Sequence, residues 1–113
     1  MTRDLITNGN HEVEYHSYLA VRPDFRIVEL QISPKQEVPW HLHNNVQDTI
    51  YVLNGSVRVE LNHPKQEVFL TAGQTFTVEC ERPHRVSASG NGSARFLVIQ
   101  GIGEYDFTPL PAG

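Results

Sequence analysis

At 113 residues the chain is the size of one domain, and its 39% hydrophobic content supports one modest core. Charged residues make up 19% with both signs interspersed, a composition that excludes wholesale disorder. Thirteen Asp and Glu against nine Lys and Arg leave a net charge of −4, which argues against general binding to nucleic acid or to an anionic membrane surface.

No apolar run approaches the roughly 18–20 residues that span a bilayer; the best are Ile50–Leu53 and Phe96–Ile99. The opening Met1-Thr-Arg-Asp-Leu-Ile-Thr-Asn has no apolar segment behind it, so it does not read as a secretory signal. Cys80 is the only cysteine and has no internal partner, which fits a reducing compartment. The expectation is one cytoplasmic domain over residues 1–113.

In chain order, strands are expected near residues 12–20, 25–33, 37–43, 48–53, 56–61, 66–71, 75–79, 84–88 and 94–100. These segments are rich in Val, Ile, Thr, Tyr and Phe, as strands prefer. Turn signals such as Pro23-Asp24, Pro34-Lys35, Asn54-Gly55, Ala72-Gly73, Arg82-Pro83 and Ser89–Ser93 separate them. Their spacing of roughly 8–12 residues suits a sandwich or barrel. Within Arg26–Ile32, Val28, Leu30 and Ile32 share a face opposite Glu29 and Gln31. Phe76 and Val78 likewise face away from Thr75, Thr77 and Glu79. No window carries a helical stripe over about 10 residues. Residues 1–10 and 104–113 read as tails. The fold class is therefore all-β, an antiparallel barrel or two-sheet jelly roll.

Histidines carry the chemical signal. His41 and His43 are two apart in Val38-Pro-Trp-His-Leu-His43. Alternate residues of a strand share a face about 6.6–6.8 Å apart, from which two imidazoles can converge on one metal ion. Simple alternation groups Val38, Trp40 and Leu42 against them, so the histidines point inward only if the barrel lumen is polar. His16 lies on a polar face with Glu14, while His11 and His63 sit in a tail and a turn; these three read as solvated. Cys80 shares parity with His84 but sits where its strand should end. Tyr105, Asp106 and Phe107 are placed to cover a barrel mouth or to close the fold against a neighbour.

The run His41-Leu-His43-Asn-Asn-Val-Gln-Asp48-Thr-Ile-Tyr-Val-Leu-Asn-Gly55 resembles the first motif of the cupin superfamily. Four residues separate His43 from Asp48, and six separate Asp48 from Gly55. Gly73 followed by His84 resembles the second motif, and the likeness covers about residues 38–100. Cupins usually carry Glu where Asp48 stands, and Gln47 beside it is a competing oxygen ligand. Glu79 and Glu81 occupy the positions of the second motif's internal proline and glycine, and Ala88 replaces its closing asparagine. From Pro39-Trp-His41 to Gln100-Gly-Ile-Gly-Glu-Tyr-Asp-Phe107 the chain also resembles small bacterial single-domain cupins.

That resemblance implies a jelly-roll (double-stranded β-helix) barrel over about residues 25–100. It also implies one divalent transition metal (Fe, Mn, Ni or Zn) held by His41, His43, His84 and either Asp48 or Gln47. Dioxygenase, isomerase or lyase chemistry on a small organic molecule is one implied role; a non-catalytic metal-binding or sensor module is the other. By parity with the ligands, the expected pocket walls are Ile50, Val52, Phe76, Val86, Phe96 and Val98. Small cupins are often dimeric, and an outward apolar face of Val38, Trp40, Leu42, Tyr51 and Leu53 leads to the expectation of a homodimer with Trp40 at or beside its interface.

Overall fold

A computed structural model of the protein describes residues 12–111. The tail expected at residues 1–10, together with His11 and the last two residues, lies outside the described residues. The strands are β1 (Tyr15–Arg22), β2 (Phe25–Ile32), β3 (Glu37–Leu42), β4 (Gln47–Asn54), β5 (Ser56–Leu61), β6 (Gln66–Thr71), β7 (Thr75–Val78), β8 (His84–Ala88), β9 (Ala94–Gly101) and β10 (Thr108–Pro109). The nine expected strands all form, with ends displaced by a few residues at most. Two five-stranded antiparallel sheets, ordered β1-β2-β9-β4-β7 and β10-β3-β8-β5-β6, make the jelly roll. No helix among the described residues is long and apolar enough to cross a membrane.

Period-two patterning places the core. Val28, Leu30 and Ile32 of β2, Ala94, Phe96 and Val98 of β9, and Val57, Val59 and Leu61 of β5 are buried on alternate positions. Ile50 and Val52 of β4 and Val78 of β7 complete the inner layer of the first sheet. The same alternation carries polar residues inward at one end of the barrel: Arg26 on β2, Asp48 on β4 and Gln100 on β9 are all buried.

β3 departs from simple alternation. Val38 pairs with Val86 and His41 with His84, so Pro39 and Trp40 together oppose Arg85 alone. This is a one-residue β-bulge, and Pro39, which has no amide proton to give a ladder, sits in it. The bulge reverses the parity of the strand. Val38 therefore lines the interior together with His41 and His43, and not an outer face as alternation suggested.

The C-terminal segment is folded and does not trail as a tail. Thr108 and Pro109 pair with Leu42 and His41, and the Leu110 amide donates to the Trp40 carbonyl at 3.0 Å. Trp40 is only 8% exposed, in contact with its own chain and with the Arg85 guanidinium 5.5 Å from its ring. Burial of Trp40 therefore needs no second copy. Tyr51 and Leu53 do remain exposed on the first sheet.

Gly55 makes the tight β4–β5 connection. Its φ of +78° is one that side-chain-bearing residues rarely adopt, and a Cβ there would lie 2.5 Å from the Ser93 carbonyl oxygen. Gly55→Ala should destabilise the fold by about 2–4 kcal/mol through strain and the displaced β9 entry. Urea unfolding would check this; a change below about 1 kcal/mol would mean that the turn rearranges freely.

Candidate metal centre

His41 is the penultimate residue of β3, His43 directly follows that strand, Asp48 is the second residue of β4 and His84 opens β8. The β3–β8 register sets His41 directly opposite His84, and β4 brings Asp48 across from the other sheet. All four are at most 4% exposed, and one potential ligand atom from each lies within 4.8 Å of the others. Gln47, the alternative oxygen donor, is exposed and has the opposite parity to Asp48, so it does not join them. His16, His63 and Cys80 are also exposed and apart from this group.

Each imidazole is oriented from behind by the backbone. His41 Nδ1 donates to the Pro39 carbonyl at 2.7 Å, His84 Nδ1 to the Arg82 carbonyl at 2.8 Å, and His43 Nδ1 to the Asp106 carbonyl. A carbonyl only accepts, so all three Nδ1 atoms carry the proton and each Nε2 is directed into the cluster. The bulge at Pro39 turns its carbonyl toward His41. The amide of Glu81 donates to the His43 carbonyl at 2.6 Å; Glu81 has a φ of +66°, the conformation that a glycine adopts freely.

The Nε2 atoms surround one carboxylate oxygen. Asp48 Oδ2 lies 2.9 Å from His84 Nε2, 3.0 Å from His43 Nε2 and 3.9 Å from His41 Nε2. Donors about 2.1 Å from one ion stand about 3.0 Å apart at right angles and about 4.2 Å apart on opposite sides. The first two separations match the former value, and the third falls between the two. With neutral rings, the Nε2 lone pairs and the carboxylate would repel one another unless a cation stood between them. The donor set thus fits a divalent transition metal, and these four residues could hold one.

Electrostatics within the cluster favour a proton on His43 beside an ionised Asp48. Burial favours neutral His43, but its hydrogen bond to Asp48 and the nearby negative charge outweigh burial and raise its pKa above the usual 6.5. For His41 burial dominates and lowers the pKa to about 4. Burial alone would raise the Asp48 pKa; the three histidines overcome it and hold the carboxyl ionised, well below the usual range. Asp48 Oδ1 is occupied separately, accepting from Gln100 Nε2 at 2.9 Å.

A cavity opens beside this group, walled by Val38, Ile50, Val86, Phe96 and Val98 and bounded at its polar end by Arg26 and Gln100. Ile50, Val86, Phe96 and Val98 were expected there. Val52 lies deeper in the packed core, and Phe76 packs at its margin, because parity reports a face and not a depth. Tyr105 and Phe107 complete the lining, with the Phe107 ring stacked on His41 at 4.6 Å and 10°. Arg26 and Gln100 escaped the sequence reading although a signal was present: each continues the inward parity of an alternating strand.

Comparison with known proteins agrees with this architecture. The family model for the cupin domain matches residues 28–100. A Klebsiella pneumoniae protein with a double-stranded β-helix domain superposes with a TM-score of 0.75 at 23% identity, over 84% of this chain and 77% of that one. A cupin-2 domain protein from Shewanella frigidimarina gives 0.65 at 17%, over 80% and 82%. An oxalate decarboxylase from Lactobacillus farciminis, in complex with formate, gives 0.74 at 14%, over 91% of this chain but 34% of the decarboxylase. A search of curated proteins finds no significant match. These likenesses extend across both sheets, and the matched segment contains His41, His43, Asp48 and His84: the chain belongs to the cupin family.

Proposed function

We propose that the protein is a metal-dependent cupin enzyme acting on a small organic molecule, with one divalent ion (Fe, Mn, Ni or Zn) held by His41, His43, Asp48 and His84. The observation that carries this reading is the convergence of three backbone-anchored imidazoles on one buried carboxylate beside an accessible cavity. A bound ion would supply Lewis acidity to a substrate oxygen, in dioxygenase-, isomerase- or lyase-type chemistry. The chain's own residues do the remaining work. Pro39, Arg82 and Asp106 carbonyls fix the ring tautomers, Gln100 orients Asp48, and the apolar walls with Phe107 exclude bulk water. A non-catalytic sensor is the second reading. It is favoured by the direct tie of the C-terminal segment to His41 and His43, which would let occupancy of the centre alter that segment.

Metal analysis of protein purified without chelator should find about one transition ion per chain, and its affinity should depend on pH. His43 holds its proton more tightly than a free imidazole, so the metal must displace that proton whenever the pH lies below the raised pKa. His41 does not compete until near pH 4, and Asp48 is already ionised. Affinity should therefore fall as the pH drops below the raised His43 pKa, with protons released as the metal binds. Competition titrations in buffers of different ionisation enthalpy would read both quantities. Affinity constant from pH 5 to 8 would rule out histidine ligation. Oxygen uptake and product analysis against small phenolics and 2-oxo acids then separate enzyme from sensor: tight metal without turnover favours the sensor.

A further inference from the structure

Arg26 has no partner proportionate to its charge. Its side chain enters the barrel from β2 and is only 2% exposed. Nε donates to Gln100 Oε1 at 2.7 Å, but Nη1 and Nη2, both buried, have no hydrogen-bond partner among the described residues. A buried guanidinium with two idle donor groups is costly to maintain and rare in a folded core. The Tyr105 ring lies 3.4 Å from Cζ and the Tyr18 ring 5.5 Å away, so aromatic faces hold the flat group in place without engaging its donors. Arg26 lines the same cavity as His41, His43 and Asp48, one amide side chain away from the carboxylate.

Charge accounting points the same way. Asp48 and Arg26 cancel each other, and neutral imidazoles add nothing, so the charge of a divalent ion is left uncompensated in a buried space. An anion is the natural complement. The free terminal nitrogens of a guanidinium form a planar fork that matches the two oxygens of a carboxylate. The space free of side chains is small, and the wall beside it is aliphatic and aromatic.

We infer that Arg26 is an anion-recognition residue and that the substrate or ligand is a small carboxylate. Its carboxylate takes the Nη1/Nη2 fork, and another oxygen of the same molecule faces the metal centre. This deepens the proposed function and rests on the metal reading for that second contact alone; the Arg26 contact stands independently of it. The Tyr105 ring, 3.4 Å from Cζ, holds the fork in place.

The test is calorimetric titration of the manganese-loaded protein with formate, acetate, pyruvate and the neutral isostere pyruvamide, after metal affinity has been measured on its own. Pyruvate should bind about tenfold or more tightly than pyruvamide. Arg26→Gln should weaken pyruvate by about tenfold or more and pyruvamide by much less, and Arg26→Lys, which keeps the charge without the fork, should fall between. Equal affinity for pyruvate and pyruvamide overturns the proposal, as does an Arg26→Gln chain that retains its pyruvate affinity, or failure of all three carboxylates to bind. If the protein takes up no metal, the metal reading fails by itself. Formate titrated into the metal-free protein then decides the Arg26 contact, since wild type must bind it more tightly than Arg26→Gln. Should Arg26→Gln not fold, as judged by circular dichroism, Arg26→Lys carries the comparison.

Discussion

Asp48→Asn should weaken metal binding by about 100-fold or more, whereas Gln47→Ala should leave it unchanged. Asp48 is the one anionic donor in the cluster, and an amide oxygen in its place neither balances the ion's charge nor binds a transition metal as strongly. The metal-free variant should still fold, because the Asn amide can donate to the imidazole nitrogens that face it. It should also titrate differently. The Asp48 hydrogen bond and charge raise the His43 pKa against the effect of burial; without them burial prevails, and the His43 pKa should drop below that of an exposed histidine. Imidazole resonances followed by NMR against pH would show this. A His43 pKa that stays raised in Asp48→Asn would assign the shift to Asp106 instead, and a Gln47→Ala chain with weakened metal binding would return Gln47 to the ligand set.

The contrast between those two neighbours illustrates what the sequence discloses. On β4 the period-two rule is decisive: Ile50 and Val52 are core residues, so Asp48 shares their face and Gln47 cannot. The nine expected strands and an all-β barrel or jelly roll follow from the same rule combined with turn spacing, and the resemblance to cupins selects the jelly roll. β3 defeats it. Alternation counts Val38 with Trp40, and only the pairing of two β3 residues with Arg85 reveals that the strand gains a residue and changes face. Pro39 was the visible warning, since a proline within an inner strand calls for a bulge.

Other features were set by tertiary contact and had no local signature. β10 is two residues long, and its placement depends on β3 being available as an edge. Arg26 and Gln100 illustrate a subtler omission. Their parity assigned them to the interior, but an Arg or Gln at the end of a strand ordinarily reaches solvent, and only the burial of both groups identifies them as parts of a site. A polar residue that continues an apolar alternation thus warrants the same scrutiny as a histidine pair.

Ending the chain after Glu104 should lower both stability and metal affinity, because the C-terminal segment supports the centre through several independent contacts. The Asp106 carboxylate accepts from the Asn44 amide at 2.7 Å, the Asn45 amide at 2.9 Å and Asn44 Nδ2 at 3.2 Å, fixing the loop between His43 and Asp48. Its carbonyl holds His43 Nδ1, Phe107 stacks on His41, and Leu110 binds the Trp40 carbonyl. At about 1 kcal/mol for each hydrogen bond lost, the truncated chain should be destabilised by on the order of 4–5 kcal/mol before the exposed Trp40 is counted. Loss of the partner that orients His43 should weaken metal binding by about 10–100-fold. Asp106→Ala separates the two effects: it removes the three loop contacts and should cost about 2–3 kcal/mol, yet it keeps the carbonyl, so metal affinity should change by less than about fivefold. Melting curves and metal competition on both variants would measure this. A truncated chain with wild-type metal affinity would show that His43 is positioned without the segment, and the segment would then serve only to close the barrel.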